Sequence, residues 1–454
     1  MVLPGLGYAG FSAPAALSRD PRVQLLGLLR RFGTLTRADL AEHMGVSTAM
    51  VGEWIAELVR VRLVEEAGKA ESRGGRPPQR VTLAGAAAHA LGLDFSSWPV
   101  RAVVRDLVGR DRFELVLEAT DEVWEHPGAT KRAAGSNGEP PTSIGDIVRV
   151  AERVIRRSGV PKEQVRTVGV ALAGFVDTRR GAHRPEALPG GASIPLAAGV
   201  AERLGVPVLI EDMARAAALA EARDGAAAGI ADLLFLSLGD RIGAALILDG
   251  NLYRGATGMV GELGHIVVRE GGPRCTCGNL GCVQALVSRP ATLGQVREAL
   301  AAGVVSVLGT PSAAGAADGR PALTIEAVVQ AAARGDRLAS SVLRQAGQDV
   351  GRALAAGTNL LGPTMVVLGG YAPELGDLFV DEVRRVLEHY VVPPIWERMR
   401  IGVGVLGARA AAMGAAWGAL DQLVETGALI HRGASRRRGP HRPRRTGAAA
   451  GTTL

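Results

Sequence analysis

Cysteine is scarce in this chain, with three residues in 454. Long apolar runs are missing too. No stretch of about 18 or more uninterrupted apolar residues occurs, which excludes a membrane-spanning helix. The segment from Leu233 to Leu248 comes nearest, and Asp240 and Arg241 break it. The N-terminus lacks a basic region leading into a long apolar core, so no secretion signal is expected. Lysine is nearly absent: Lys69, Lys131 and Lys162 are the whole complement, and arginine supplies the rest of the 52 basic residues. Against 45 acids this leaves a formal charge of +7, which permits an anionic partner without demanding one. The remaining balance, 47% apolar and 21% charged, is ordinary for a globular protein. The length implies two or three domains.

The few cysteines are not scattered. Cys275, Cys277 and Cys282 fall within GELGHIVVREGGPRCTCGNLGCVQ, the stretch Gly261 to Gln284, with His265 upstream. Three thiolates and one imidazole are a full tetrahedral donor set for zinc, with no position left for water, so the metal is expected to be structural. Gly272, Gly278 and Gly281 allow so short a run to converge. The other reading, three buried thiols and an unrelated histidine, makes the clustering a coincidence. Such a thiolate site in a chain without an export signal fits a reducing cytoplasm.

Before this stretch the chain changes character twice. Residues 1–17 are rich in Gly, Ala and Pro and read as a disordered arm. Arg22 to Arg31 has apolar positions at helical spacing. Thr36 caps a second helix, RADLAEHM, closed by Gly45, and Ser47 starts a third, TAMVGEWIAELVRVRL, with Val51, Trp54, Ile55 and Leu58 on one face. Three helices with a tight glycine turn between the second and third describe a helix-turn-helix. LVEEAG and QRVTLA then read as strands, and the hairpin KAESRGGRPP between them as a wing. An arginine flanked by glycine and proline, as in Gly75, Arg76 and Pro77, is shaped to enter a narrow minor groove. The alternative is a surface hairpin with a solvated arginine. Ser47 and Thr48, at the start of the third helix, can bond phosphates or base edges. From Ala88 strands and helices alternate, interrupted by residues 125–143, which lack apolar periodicity and read as a disordered insert. The tail HRGASRRRGPHRPRR reads as a solvated, disordered segment, or as a source of sequence-independent DNA affinity.

The pattern of Glu262, Gly264 and His265 followed by Cys275, Cys277, Gly278, Gly281 and Cys282 resembles the signature of the ROK family (repressors, open reading frames and sugar kinases). The likeness runs from about Arg22 to Val424. It implies an α/β chain: a winged helix-turn-helix at 18–85, then a two-lobed actin-like (ribonuclease-H-like, sugar-kinase-type) ATPase fold at 86–425. Lobe I would span about 86–212 plus the C-terminal helix at about 395–425, and lobe II about 213–394, leaving 426–454 as a basic tail. The resemblance also implies a sugar site at Gly174, Asp212, Glu262, His265 and Gln284, with Gln284 where the family has glutamate. Glu262 could equally be a solvated loop acid.

The family's kinases place their catalytic base third in an E-N-D-A-N segment. Here that segment is Glu211, Asp212, Met213, Ala214, Arg215, and a thioether cannot accept the proton. The phosphate loops are eroded as well. Asp94-Phe95-Ser96-Ser97-Trp98 replaces D-x-G-x-T, Gly239-Asp240-Arg241-Ile242-Gly243 replaces G-T-G-I-G, and Tyr371 replaces a third glycine after Gly369 and Gly370. No ATP is expected to bind. What remains is a transcriptional regulator, by expectation a repressor, that binds a double-stranded DNA operator as a homodimer or higher homo-oligomer in the cytoplasm, on the nucleoid. It would carry one zinc and respond to a sugar or sugar derivative. The alternatives are an active sugar kinase fused to a DNA-binding head, and a head whose kinase-like domain is only a dimerisation scaffold.

Overall fold

The structure, a computed structural model, describes residues 20–69, 78–124, 140–184, 193–309 and 323–430. The arm at 1–17, residues 125–139 of the insert, the tail from 431 onward, and Gly75, Arg76 and Pro77 lie outside those residues. The described chain forms two compact units, one of residues 20–84 with 421–430, the other of Gly85–Leu420.

The smaller unit contains α1 (Pro21–Phe32), β1 (Leu35–Thr36), α2 (Arg37–Met44), α3 (Thr48–Arg60), β2 (Val64–Lys69) and β3 (Gln79–Leu83). Local chemistry sets each helix end. Asp20 accepts from the Arg22 amide ahead of α1, with Pro21 in its first turn. Thr36 and Asp39 cap α2 reciprocally. Gly45 ends α2 in the left-handed region at φ 65°, and Ser47 Oγ accepts from the Met50 amide to begin α3. The turn between α2 and α3 is therefore pinned on both sides. Leu25, Leu26, Leu29, Leu40, Val51, Ile55, Leu58, Val81 and Leu83 are buried. The antiparallel sheet runs β1-β3-β2.

Two expectations are corrected here. Helix α3 stops at Arg60 instead of Leu63, because Arg62 turns the chain with φ 59°. The chain from Asp421 belongs with this unit and not with the larger one, since Asp421 holds the buried Arg30 guanidinium at 2.8 Å.

The larger unit holds two five-stranded sheets. The first comprises β4 (His89–Asp94), β5 (Val100–Asp106), β6 (Asp111–Leu117), β7 (Val165–Leu172) and β10 (Val208–Asp212); β8 (Phe175–Asp177) and β9 (Ala182–Arg184) form a hairpin beside it. Its helices are α4 (Ile144–Ser158) and α5 (Leu196–Leu204). After α6 (Met213–Asp224) come β11 (Leu233–Leu238), β12 (Ile242–Leu248), β13 (Asn251–Tyr253), β14 (Met365–Gly370) and β15 (Arg400–Val403). The orders are β10-β7-β4-β5-β6 and β13-β12-β11-β14-β15. Each sheet begins with an antiparallel meander and adds two parallel strands on the far side of its first strand. The same topology thus occurs twice. Helices α7 (Val283–Val287), α8 (Arg289–Ala301), α9 (Ile325–Ala333), α10 (Arg337–Leu361), α11 (Gly376–Tyr390) and α12 (Pro393–Trp396) follow, and α13 (Ala410–Glu425) is last. One boundary moves: β15 pairs with β14 in the second sheet, so the region from 395 does not belong wholly to the first lobe. A four-residue strand is too short to show a period in sequence.

Helix α13 lies so close to the first sheet that only glycine fits beneath it. A Cβ on Gly169 would sit 1.9 Å from the Ala415 carbonyl oxygen, and one on Gly92 2.1 Å from that of Ala412. Gly169→Ala is expected to lower unfolding free energy by about 3 kcal/mol or more, the upper range for overpacking, as measured by urea denaturation.

Candidate functional site

Between the two sheets lies a cleft of about 490 Å³, counting its open mouth, lined by Gly174, Asp212, Met213, Arg241, Glu262, His265 and Gln284 among others. All five residues that the resemblance assigned to sugar are on its wall. Gly174 makes the turn between β7 and β8 at φ 94°. Asp212 ends β10 and caps α6, its Oδ1 accepting from the amides of Ala214 and Arg215 at 2.9 and 3.1 Å. Burial pushes its carboxyl up to about 6, against the pull of Arg215. Glu262 is half exposed, with a carboxylate oxygen 3.8 Å from His265 Nε2. Gln284 is nearly buried and already engaged: its Oε1 accepts from the Ile242 amide at 3.1 Å and its Nε2 donates to Thr276 Oγ1 at 3.2 Å. It links the cysteine loop to β12 and leaves one N–H for a ligand. Met213, at the base position, packs against Ala171, Ala216, Ala411 and Ala415. Its side chain completes a small apolar cluster under α13.

His265 joins this cleft to the cysteine cluster. Its Nδ1 lies 3.5 Å from Cys275 Sγ, Cys277 Sγ lies 3.7 Å from Cys282 Sγ, and the four donor atoms all fall within 4.8 Å of one another. A tetrahedral zinc with bonds of about 2.3 Å to sulfur and 2.0–2.1 Å to nitrogen sets neighbouring donors roughly 3.8 Å (S to S) and 3.6 Å (N to S) apart. The donor set and its spacing fit that ion. The loop reaches this shape through Gly281, at φ 75°, where a Cβ would lie 1.7 Å from the Arg269 carbonyl oxygen. His265 turns Nδ1 toward Cys275 Sγ and Nε2 toward the Glu262 carboxylate.

The three loops that depart from the family's phosphate-loop pattern carry packed side chains of the protein's own. Trp98 meets Trp124 edge-on at 5.0 Å, and Phe95 meets it at 6.3 Å. Asp94 accepts from the Ser96 amide and hydroxyl at 2.9 and 2.6 Å. Tyr371 is buried, donating to the Val287 carbonyl at 2.7 Å. The Arg289 guanidinium covers its ring at 5.0 Å and faces Asp240 at 3.7 Å and Glu374 at 4.0 Å.

One feature had no signal in the sequence. Glu211, 3% exposed, is gripped by Arg215 at 2.6 Å and Arg254 at 2.9 Å. Thr178 donates to it at 2.8 Å and the Asp212 amide at 3.0 Å. Burial would raise the Glu211 carboxyl, but Arg254 and Arg215 outweigh it and hold it below the usual range.

The ROK family profile matches residues 135–422. The chain belongs to the ROK family. Among relatives, the putative xylose repressor of Caldicellulosiruptor sp. is 26% identical over 401 residues, 88% of this chain and 95% of that protein. A glucokinase of Halalkalibacterium halodurans is 30% identical over 265 residues, 58% of this chain and 79% of the kinase. Among solved structures, a ROK family transcriptional regulator described as a homologue of the E. coli MLC protein superposes with TM-score 0.73 at 23% identity, covering 90% of this chain and 97% of its own. This ROK chain therefore shares its fold with family members that include both regulators and kinases. Among the described residues no helix is long and apolar enough to cross a membrane.

Proposed function

We propose that this ROK protein is a DNA-binding transcriptional regulator, acting as a repressor, whose kinase-like domain senses a sugar without phosphorylating it. The observation that carries this reading is Met213, a thioether built into an apolar cluster where the family's kinases hold their base. The repressor relative supports it, because its similarity extends over 88% of the chain and the kinase's over 58%. In this reading residues 18–85 are a winged helix-turn-helix. Ser47 and Thr48 are exposed at the N-terminus of α3, where amides and hydroxyls meet phosphate, and Gly75-Arg76-Pro77 enters the minor groove. The sugar lies in the cleft between Asp212, Glu262 and His265 Nε2, with Gly174 allowing close approach and Gln284 offering its remaining N–H. His265, Cys275, Cys277 and Cys282 hold one zinc that shapes this wall. The chain acts as a homodimer in the cytoplasm, where a sugar shifts the operator-binding equilibrium only by its differential affinity for the two states.

Footprinting on the DNA upstream of its own gene tests the regulator reading. Expected is protection of two half-sites about one or more helical turns of 34–36 Å apart. Arg76→Ala is expected to weaken binding about tenfold, within the roughly 1–3 kcal/mol of a single arginine contact to bases. No retained genomic fragment at low salt would end the reading. A thermal-shift panel of pentoses, hexoses and N-acetylhexosamines tests the sugar; no stabilisation by any of them would leave the domain a scaffold.

A further inference from the structure

The two sheets of the kinase-like unit are joined across the cleft by charge. Glu211 is on β10 of the first sheet. Arg254 follows β13 of the second, and Arg215 is on α6, which packs against β11 and β12. Both guanidiniums reach the one carboxylate, from opposite oxygens: Arg215 Nε to Oε1 at 2.6 Å and Arg254 Nε to Oε2 at 2.9 Å. Arg215 goes further. Its Nη1 donates to the Val260 carbonyl in the second lobe at 3.2 Å, and its Nη2 to the Val176 carbonyl in the first at 3.1 Å. Beside them Arg179, on the first lobe, donates to the carbonyls of Ala256 and Gly255 at 2.9 and 3.0 Å. Arg215 is the largest fully buried side chain among the described residues. It occupies the last position of the segment whose fourth-last residue, Asp212, faces the cleft.

We propose that Glu211, Arg215 and Arg254 form a latch that restrains the two lobes around the cleft, so that any wider opening for an effector requires the Glu211–Arg254 contact to break. Breaking the Glu211–Arg254 contact leaves the buried carboxylate with Arg215 as its one remaining cation, a loss of charge compensation that makes opening costly. The lobes therefore have two arrangements, latched and open, with little between. The latch is adjacent to the effector wall, since the Asp212 amide donates to the same Glu211 oxygen that receives Arg215. The latch stands on this geometry alone, whether or not the chain reads DNA.

Hydrogen–deuterium exchange on the full-length, metal-loaded protein tests it, read by mass spectrometry on peptides covering 173–178, 209–213 and 254–262. Arg254→Gln keeps the deeper Glu211–Arg215 pair and is the variant least prone to misfold; Arg215→Asn, which places the family's residue at this position, is the stronger one. The control is Arg269→Gln, which breaks a 2.6 Å pair with buried Asp349 within the second lobe. Expected is exchange at least tenfold faster in all three peptides for Arg254→Gln, with a larger radius of gyration by small-angle scattering, and strands β11 and β14 unchanged. Arg269→Gln should leave those peptides at the wild-type rate. Equal exchange in Arg254→Gln and the control, with no change in scattering, overturns the latch. If Arg215→Asn fails to fold, the Arg254→Gln comparison still decides.

Discussion

Cys282→Ser is expected to purify with no bound zinc, against one equivalent per wild-type chain, and to melt a few degrees below it. Cys282 is fully buried, its Sγ lies 3.7 Å from that of Cys277, and it immediately precedes α7. Structural zinc contributes apparent binding energies of about 10–16 kcal/mol in small peptides whose fold depends on it. In a large folded unit only part of this is felt, since the loop can collapse locally. In a unit as large as Gly85–Leu420, a loss of about 3 kcal/mol lowers the melting point by roughly 4 °C, because the unfolding entropy, about 2.1 cal/mol/K per residue, grows with size. The effect reaches the cleft. Without the metal His265 loses the bond that orients its ring, and the Gln284–Thr276 link to the loop loses its anchor. Sugar stabilisation should therefore vanish with the zinc, and prolonged chelation of the wild type should reproduce both losses. Elemental analysis that finds wild-type protein folded and free of metal would refute the assignment.

Much of this was legible because the signals are local. Thr36 followed by Asp39, Gly45 and Ser47 fix helix ends through bonds spanning three residues, so residue types alone place them. Helix α4 starts and ends where Ser143 and Gly159 put it. The cysteine cluster was legible for a similar reason, since a short loop must bring its own donors together. What was not legible is non-local. The two residues of β1 become a strand only because Val81 and Arg80 lie opposite. Strand β15 exists because β14 offers a parallel edge. The change of unit at Asp421 follows from Arg30, 391 positions earlier. Arg254 and Thr178 sit in loops whose sequence gives no hint that they converge on Glu211. Met213 was readable as the loss of a base, but its role in the alanine cluster beneath α13 needed the packing.

The wild-type chain should show no ATP-dependent phosphorylation of xylose, glucose or N-acetylhexosamines in a coupled assay, and Met213→Asp alone should not create any. A positioned general base contributes about 10²–10⁴-fold, and working sugar kinases of ordinary speed turn over at about 1–100 s⁻¹. If Met213 were the sole defect, the aspartate would recover much of that rate. The seat for the nucleotide argues otherwise. Tyr371 is buried, with the Arg289 guanidinium over its ring. Asp240 adds a negative charge where phosphate would have to lie, and Trp98 fills the first loop against Trp124. If these side chains keep the nucleotide from being held, restoring the base alone will not restore turnover. Of the two carboxylates on the cleft wall, Asp212 and Glu262, Asp212 is pushed up to about 6 by burial, suited to proton transfer, but its Oδ1 is committed to two amides at the start of α6. Turnover in the wild type that disappears in Asp212→Ala would identify Asp212 as a base despite that commitment, and would return the protein to the kinases. Turnover that appears only when Met213→Asp is combined with Asp240→Thr and Arg241→Gly would place the defect in the phosphate loop as well as the base, as the packing around Arg289 requires.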